Sequence, residues 1–358
     1  MMKSKVALLV LSALALGSTA NAAEIFNKDG NKLDLYGKVK GERDFTTTGK
    51  HDNADATYAR LGFKGETQIN SDLSGYGQFE HQFNASEAEG SQGAGKTRLA
   101  FAGLKFGSAG SIDYGRNYGV VYDIGSYADN LTEFGGDSYQ NTDNYMTGRA
   151  NGLLTYRNSD FFGLVDGLAV GIQYQGKNDA GTSRKPAKAN GDGFGYSLQY
   201  EIPESGVTVG AAYSNSSTVD APAYVSGKRA EAWTVGAKYS ANALYLATTY
   251  AETRNMTPID VVAGGQTIDN VAADKVKAFE VMGAYTFDFG LQPTLGYVQS
   301  DVETKYGRGY TTKYAQVGAA YYFNKNFSVD AAYKFNLAKS ADTPAVDDQA
   351  VVGATYQF

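Results

Sequence analysis

The 358-residue chain holds 43 Gly, 27 Tyr and 18 Phe but only 6 Pro and no Cys, a composition that excludes disorder, a disulfide scaffold, a thiolate metal site and a cysteine nucleophile. With 32 Lys plus Arg against 38 Asp plus Glu, a general basic charge for nucleic-acid binding is absent. Two histidines, His51 and His81, leave almost nothing for imidazole metal ligation or a catalytic triad.

Residues 1–22 start with Lys3 and Lys5, continue through the apolar run Val6 to Leu16, and end in small residues at Ala20-Asn21-Ala22. This reads as a cleavable secretory signal, because the apolar run is too short for the ~20 residues a helix needs to cross a bilayer. Residues 23–358 then form one domain with 30 basic and 38 acidic residues, a net charge of −8, and contain no candidate transmembrane helix. Export without cysteine fits the periplasm or outer membrane of a Gram-negative cell.

Along that domain the apolar period is two. The first predicted strand, Lys32 to Phe45, sets Asp34, Tyr36 and Lys38 on one face and Leu33, Leu35 and Val39 on the other. Around Arg60, the residues Ala59, Leu61, Phe63, Thr67 and Ile69 alternate with Tyr58, Arg60, Lys64, Glu66 and Gln68. His81 falls on the apolar parity between Phe79 and Phe83, where an interfacial ring is the plain reading; His51, among acids in the first long loop, reads as solvated.

Gly90 to Thr97 spells G-x-x-x-x-G-K-[ST], the phosphate-cradling loop, but a strand rather than a helix is predicted after it, so nucleotide binding is not expected. The segment Leu99 to Leu104 is apolar on both parities, as expected where subunits meet and an infolded loop packs. Alternation recurs at Phe194 to Ile202, Phe279 to Asp288 and Phe327 to Asn336.

Short Gly, Asn, Asp and Pro turns at 70–74, 107–110, 160–167, 203–206, 240–242, 288–292 and 324–326 give seven hairpins. With unpaired strands at the start and at Gln349 to Phe358, the count is sixteen. Longer polar segments lie at 44–57, 84–96, 119–147, 176–192, 214–229, 252–277, 301–312 and 336–348. Short turns on one side and long loops on the other predict an all-β, antiparallel transmembrane barrel, closed because hydrocarbon cannot hydrogen-bond a strand edge. Phe83, Tyr200, Tyr213, Tyr250, Phe323 and Phe335 are candidates for its aromatic girdles. The third loop carries Asp123, Asp129, Glu133, Asp137 and Asp143 with no Lys or Arg. Arg184, Lys185 and Lys188 in the fourth face either the lumen mouth, anionic lipopolysaccharide or plain solvent.

Several blocks are similar to the general diffusion porins of enteric bacteria, the OmpC, OmpF and PhoE type. They are Ala23 to Lys38, Tyr58 to Glu66, Lys96 to Leu104, Asp113 to Gly119, Glu133 to Asp137 and the ending Tyr356-Gln357-Phe358. The resemblance implies a homotrimer of water-filled pores, each narrowed by an infolded third loop (119–147), passing ions and small hydrophilic solutes without cofactor, bound metal or catalysis. It assigns the constriction acids to Asp129 and Glu133, the opposing bases to Lys38, Arg60, Arg98 and Arg149, and a lining tyrosine to Tyr122. The parity of Lys38 and Arg60 independently points them inward.

The anion-preferring branch carries a lysine before the constriction arginine where this chain has Gly148, so weak cation preference is expected. By the same resemblance, Glu87 or Glu89 of one subunit meets Arg116 of the next, and Phe358 with Tyr356 is the signal for the barrel-assembly machinery. Lipopolysaccharide and outer-membrane lipid surround the barrel, and phages and bacteriocins exploit such loops. A substrate-specific channel would add a line of aromatic residues along the lumen, and no such line is evident; a barrel enzyme would depend on His51.

Overall fold

The computed structural model describes residues 23–47, 54–91, 93, 95–219, 229–263, 266–338 and 347–358. The proposed signal, residues 1–22, and His51 lie outside the described residues.

Sixteen antiparallel strands run in a nearest-neighbour meander: β1 (Asn31–Thr46), β2 (Tyr58–Gln68), β3 (Ser74–Asn84), β4 (Lys96–Lys105), β5 (Ser111–Tyr118), β6 (Arg149–Asn158), β7 (Leu168–Gln175), β8 (Gly193–Glu201), β9 (Val207–Ser217), β10 (Arg229–Ala241), β11 (Leu244–Arg254), β12 (Lys275–Tyr285), β13 (Leu291–Thr304), β14 (Gly307–Tyr322), β15 (Phe327–Asn336) and β16 (Gln349–Gln357). The barrel closes where β16 pairs with β1, from Gln349 opposite Thr46 to Gln357 opposite Lys38. Gly37 and Phe358 complete that seam with reciprocal backbone bonds of 3.1 and 3.0 Å. Below it, a short strand, Ala23–Lys28, folds back on Asn31 to Leu35 and covers the rest of the same edge. No run of backbone donors on that edge is left to hydrocarbon, which could not satisfy it.

Alternation sorts side chains as the period predicts. Leu61, Phe63, Phe194, Tyr196, Leu198, Val281, Val329 and Val352 are exposed on the outer wall, while Thr234, Ser214, Gln173 and Glu280 are buried inside. This inversion of the soluble pattern is what a lipid solvent demands.

Aromatic rings mark two levels. Near the long loops Tyr213 pairs with Trp233 and Tyr250 with Phe279, with ring contacts of 5.5 Å from Trp233 to Tyr250 and 6.4 Å from Phe279 to Tyr297. At the short turns Tyr285, Phe287 and Phe289 touch ring to ring in sequence, as do Tyr321, Phe323 and Phe327. Phe279 and Tyr285 share one strand six positions apart, roughly 20 Å at the usual rise, which suits an apolar band of about 25 Å. His81 belongs to the outer row, stacked on Phe79 at 6.3 Å and tilted against Phe83 at 4.6 Å.

Two loops differ from expectation. Residues 301–312 do not form a long polar loop: β13 and β14 continue through them, paired to a turn at Lys305 and Tyr306. Polar side chains at the ends of long strands standing in water look like loop residues to a hydropathy reading. Residues 252–277 include a further two-stranded hairpin, Pro258–Ala263 against Gln266–Ala272. Lys96 and Thr97, which end the Gly90 to Thr97 motif, already belong to β4, so a strand and not a helix follows it directly.

Candidate pore constriction

The third loop leaves β5, makes one helical turn at Tyr122–Gly125, and runs inside the barrel along its inner wall. Its path is fixed by side chains from successive strands. Asp123 accepts from Arg157 at 2.6 Å and Ser197 at 2.6 Å, and Tyr127 donates to Gln199 at 2.7 Å. Tyr245 donates to the Tyr127 carbonyl at 2.7 Å, Thr132 meets Thr294 at 2.6 Å, and Ser138 donates to the buried Glu280 at 2.5 Å. Tyr314 accepts from the Gly135 amide at 2.8 Å and donates to Asp137 at 2.9 Å. Ile124, Tyr127 and Leu131 add an apolar contact with Ala212, Tyr245, Met282 and Val298 on the wall.

The apolar residues of the loop gather on the far side of the barrel from the Leu99 to Leu104 segment. Within that segment Leu99 is buried opposite Glu80 and Phe101 packs edge-on against Tyr76 inside the lumen, while Ile124, Tyr127 and Leu131 lie against β9 to β14. The loop goes where the wall leaves room. Side chains on Gly210, Gly236 and Gly296 would come within 2.9 Å of Tyr127, 2.8 Å of Ile124 and 2.5 Å of Leu131.

The predicted bases stand together on the opposite wall. Lys38 and Arg60 are register partners on β1 and β2, and both lie near the Tyr58 ring, 5.4 Å from its centre. Arg60 also donates to Gln82 at 2.9 Å. Arg98 would face outward on strict parity with the Ala100 position, but a bulge between Glu80 and His81 turns it inward, where its Nε sits 2.5 Å from Glu80. Arg149, at the start of β6, lies over Tyr118 with its guanidinium carbon 5.7 Å from the ring centre.

Two wall residues were not anticipated. Lys96 is within electrostatic reach of Arg60, Arg98 and Arg149 and extends the ladder. Glu80 is buried, accepts from Tyr36 at 3.1 Å, and lies 3.8 Å from Arg60 as well as beside Arg98. Its even parity on β3, opposite that of Phe79 and His81, was the available signal.

On the loop, Asp129 accepts from Tyr122 at 2.5 Å, and Tyr122 stacks on Tyr118 at 4.8 Å. Asp129 shares one cavity with Lys38 and feels the charges of Arg149 and Arg98. Burial raises its carboxyl pKa, partly offset by the Tyr122 hydroxyl that donates to it. Glu133 sits differently. It contacts the Lys40 ammonium, which also lies 2.9 Å from Glu42 and 3.6 Å from Asp330, so it is not a bare acid facing the ladder. Lys40 shares the lumen parity of Lys38 and was legible in that way.

Arg116 is engaged within its own chain. Its guanidinium grips Asp143 through two bonds of 2.6 and 3.1 Å and its Nε donates to the Thr97 carbonyl at 2.8 Å, which ties the root of the third loop to β4. A neighbour's glutamate would have to share it. Glu87 and Glu89 are exposed, and Glu87 accepts from the Gly93 amide at 3.1 Å. In the fourth loop Lys188 reaches inward to the Thr142 carbonyl while Lys185 stays exposed, and Arg184 donates to the Lys188 carbonyl at 2.7 Å. Tyr356 is exposed on the outer wall, with Phe358 next along that face at 6.4 Å.

The family model for Gram-negative porins matches residues 28–358. Outer membrane porin F of Salmonella typhimurium is 55% identical over 370 residues, covering all of both chains. Outer membrane porin N of Escherichia coli is 49% identical over 385 residues, again end to end. A solved structure of Salmonella typhi OmpF in complex with daunomycin superposes with a TM-score of 0.87 at 53% identity, over 94% of this chain and 100% of that one. An anion-selective porin from Comamonas acidovorans shares the fold at 18% identity with a TM-score of 0.67, over 92% of this chain. A closed barrel greasy outside and polar within, narrowed by its own third loop, is a channel and not an enzyme, and the chain belongs to the Gram-negative porins, outer-membrane pores through which small hydrophilic solutes diffuse passively.

Proposed function

We propose that this pore is weakly cation-selective and that its filter is the field between the loop acids Asp129 and Glu133 and the wall bases Lys38, Arg60, Arg98 and Arg149, with Tyr122 lining the passage. The observation that carries the reading is Asp129. It is tethered by Tyr122, shares a cavity with Lys38, and lies under the influence of Arg149 and Arg98. Low-dielectric walls focus such a field, which open water would screen within about 8 Å. Polar solutes align in it, whereas apolar ones must disrupt ordered water. The acidic loop and Gly148 before Arg149 favour cations.

The test is the zero-current potential of the purified protein in a planar bilayer under a potassium chloride gradient. A potential favouring potassium is expected, one favouring chloride overturns the reading, and neutralising Arg98 or Arg149 should enlarge conductance and strengthen cation preference.

The same reading extends to assembly. The protein is made with a removable signal over residues 1–22 and forms a homotrimer, Glu87 or Glu89 sharing Arg116 of a neighbour with Asp143. Tyr356 and Phe358 address it to the barrel-insertion machinery, lipopolysaccharide packs around it, and phages or bacteriocins recognise its loops. Single-channel closure of the unheated oligomer in three equal steps supports the trimer; a single step refutes it.

A further inference from the structure

Lys40 stands apart from the ladder of bases. It lies on β1 two positions beyond Lys38, only 7% exposed, with its ammonium among three carboxylates: Glu133 on the third loop, Glu42 on its own strand at 2.9 Å and Asp330 on β15 at 3.6 Å. The space for this arm is built. A side chain on Gly353 of β16 would come within 2.8 Å of the Lys40 Cε and 2.7 Å of the Asp330 carboxylate. Glu133 is thus a constriction acid already met by a wall cation on the side away from Arg60 and Arg98. Among the described residues Asp129 has no such partner, its close contact being the neutral Tyr122 hydroxyl.

We propose that Lys40 is a selectivity-determining residue of this pore: it offsets one charge of the Glu133, Glu42 and Asp330 cluster and pins the middle of the third loop to the β1 and β15 wall, leaving Asp129 as the working acid of the filter. The inference rests on the cation-preferring reading above and deepens it, for it explains a weak preference in a loop rich in acids.

Removing the cation by Lys40→Met exposes one negative charge to the lumen and should raise the potassium-to-chloride permeability ratio about two- to three-fold, the scale of one screened unit charge a few ångströms from the ion path. Glu133→Gln should lower the ratio by a similar factor, Lys40→Met with Glu133→Gln should return it close to the starting value, and Lys40→Arg should leave it there. A ratio unmoved by Lys40→Met, or a double variant that keeps the value of Lys40→Met alone, overturns the proposal.

Contact itself has an independent readout, because the chain has no cysteine. In K40C/E133C, a short bifunctional thiol cross-linker, about as long as the two arms it replaces, should consume both thiols and leave single-channel conductance unchanged; thiols that never cross-link within one subunit of the folded oligomer overturn the pinning. Asp129→Asn separates the two readings. If it leaves the zero-current potential untouched, the transverse-field reading fails, whereas the response to Lys40→Met still decides the role of Lys40.

Discussion

Glu80 offers the sharpest test of how the ladder of bases is held. It is a buried carboxylate inside a cationic wall, 2.5 Å from the Arg98 Nε, 3.8 Å from the Arg60 Nε, and bonded to the Tyr36 hydroxyl at 3.1 Å. Glu80→Gln keeps the shape and an acceptor oxygen but removes one negative charge between two arginines. A unit charge about 6 Å from a passing ion is worth roughly 0.7 kcal/mol in water, and screening over a Debye length of about 8 Å brings that to roughly 0.3 kcal/mol. Cation entry then falls and anion entry rises by somewhat under two-fold each, so the permeability ratio drops about three-fold. Two arginines without a counter-charge also weaken the wall, at a cost of about 1–3 kcal/mol for the lost charged bonds. The assays are the zero-current potential in a tenfold salt gradient and the temperature at which the oligomer dissociates in detergent. A ratio that stays constant or rises would refute the claim that Glu80 tempers the ladder's charge.

The other expectations follow from the same geometry. Because burial raises the carboxyl of Asp129, it takes up a proton at higher pH than an ordinary carboxylate, so cation preference should fade on acidification before exposed carboxylates titrate; a preference that stays constant until exposed carboxylates titrate would exclude Asp129 as its source. Deleting Phe358 removes the two backbone bonds to Gly37 that finish the seam, in surroundings where an unmet donor costs several kcal/mol, and should reduce folded oligomer in the outer membrane; a normal yield on unheated gels argues against it. Gly236→Leu places a side chain where Ile124 and Tyr127 pack and should push the loop toward the bases, lowering single-channel conductance, while an unchanged conductance would mean that the loop does not depend on that seat.

The barrel was legible because its solvent imposes a simple code. A strand with lipid on one side and water on the other must alternate, and the turns between Gln68 and Ser74, or between Glu201 and Val207, announce themselves through Asn, Asp, Gly and Pro. The code fails where its premise does. Beyond the lipid both faces of β13 and β14 meet water, so residues 301–312 lose the alternation while remaining paired. Arg98 escapes it through a bulge, a backbone event that one extra residue creates and no period of two can register. For Arg116 the residue type was flagged but not the partner, since Asp143 lies 27 residues away across the loop.

The inward fold of the third loop has a sequence trace, although not in the loop. A porin wall facing open water tolerates any polar side chain at its inward positions, yet Gly195, Gly210, Gly236, Gly296 and Gly318 occupy such positions on β8, β9, β10, β13 and β14. At each, an added carbon would strike the loop: Val120 at 2.6 Å, Ile124 at 2.4 Å, Ile124 again at 2.8 Å, Leu131 at 2.5 Å and Thr132 at 2.9 Å. These contacts follow the loop in chain order, so the wall carries a shallow track matched to the loop's own sequence. Glycine weakens a strand that must stand alone. Five of them on consecutive regions of one inner wall therefore make sense only if something else fills the space, and the loop's buried apolar residues, exposed to water in any outward position, are what fills it. The acids follow the track as passengers. With Ile124, Tyr127 and Leu131 seated, Asp129 is held at the edge of the gap by Tyr122, and the charge that gives the pore its character is positioned by packing that carries no charge at all.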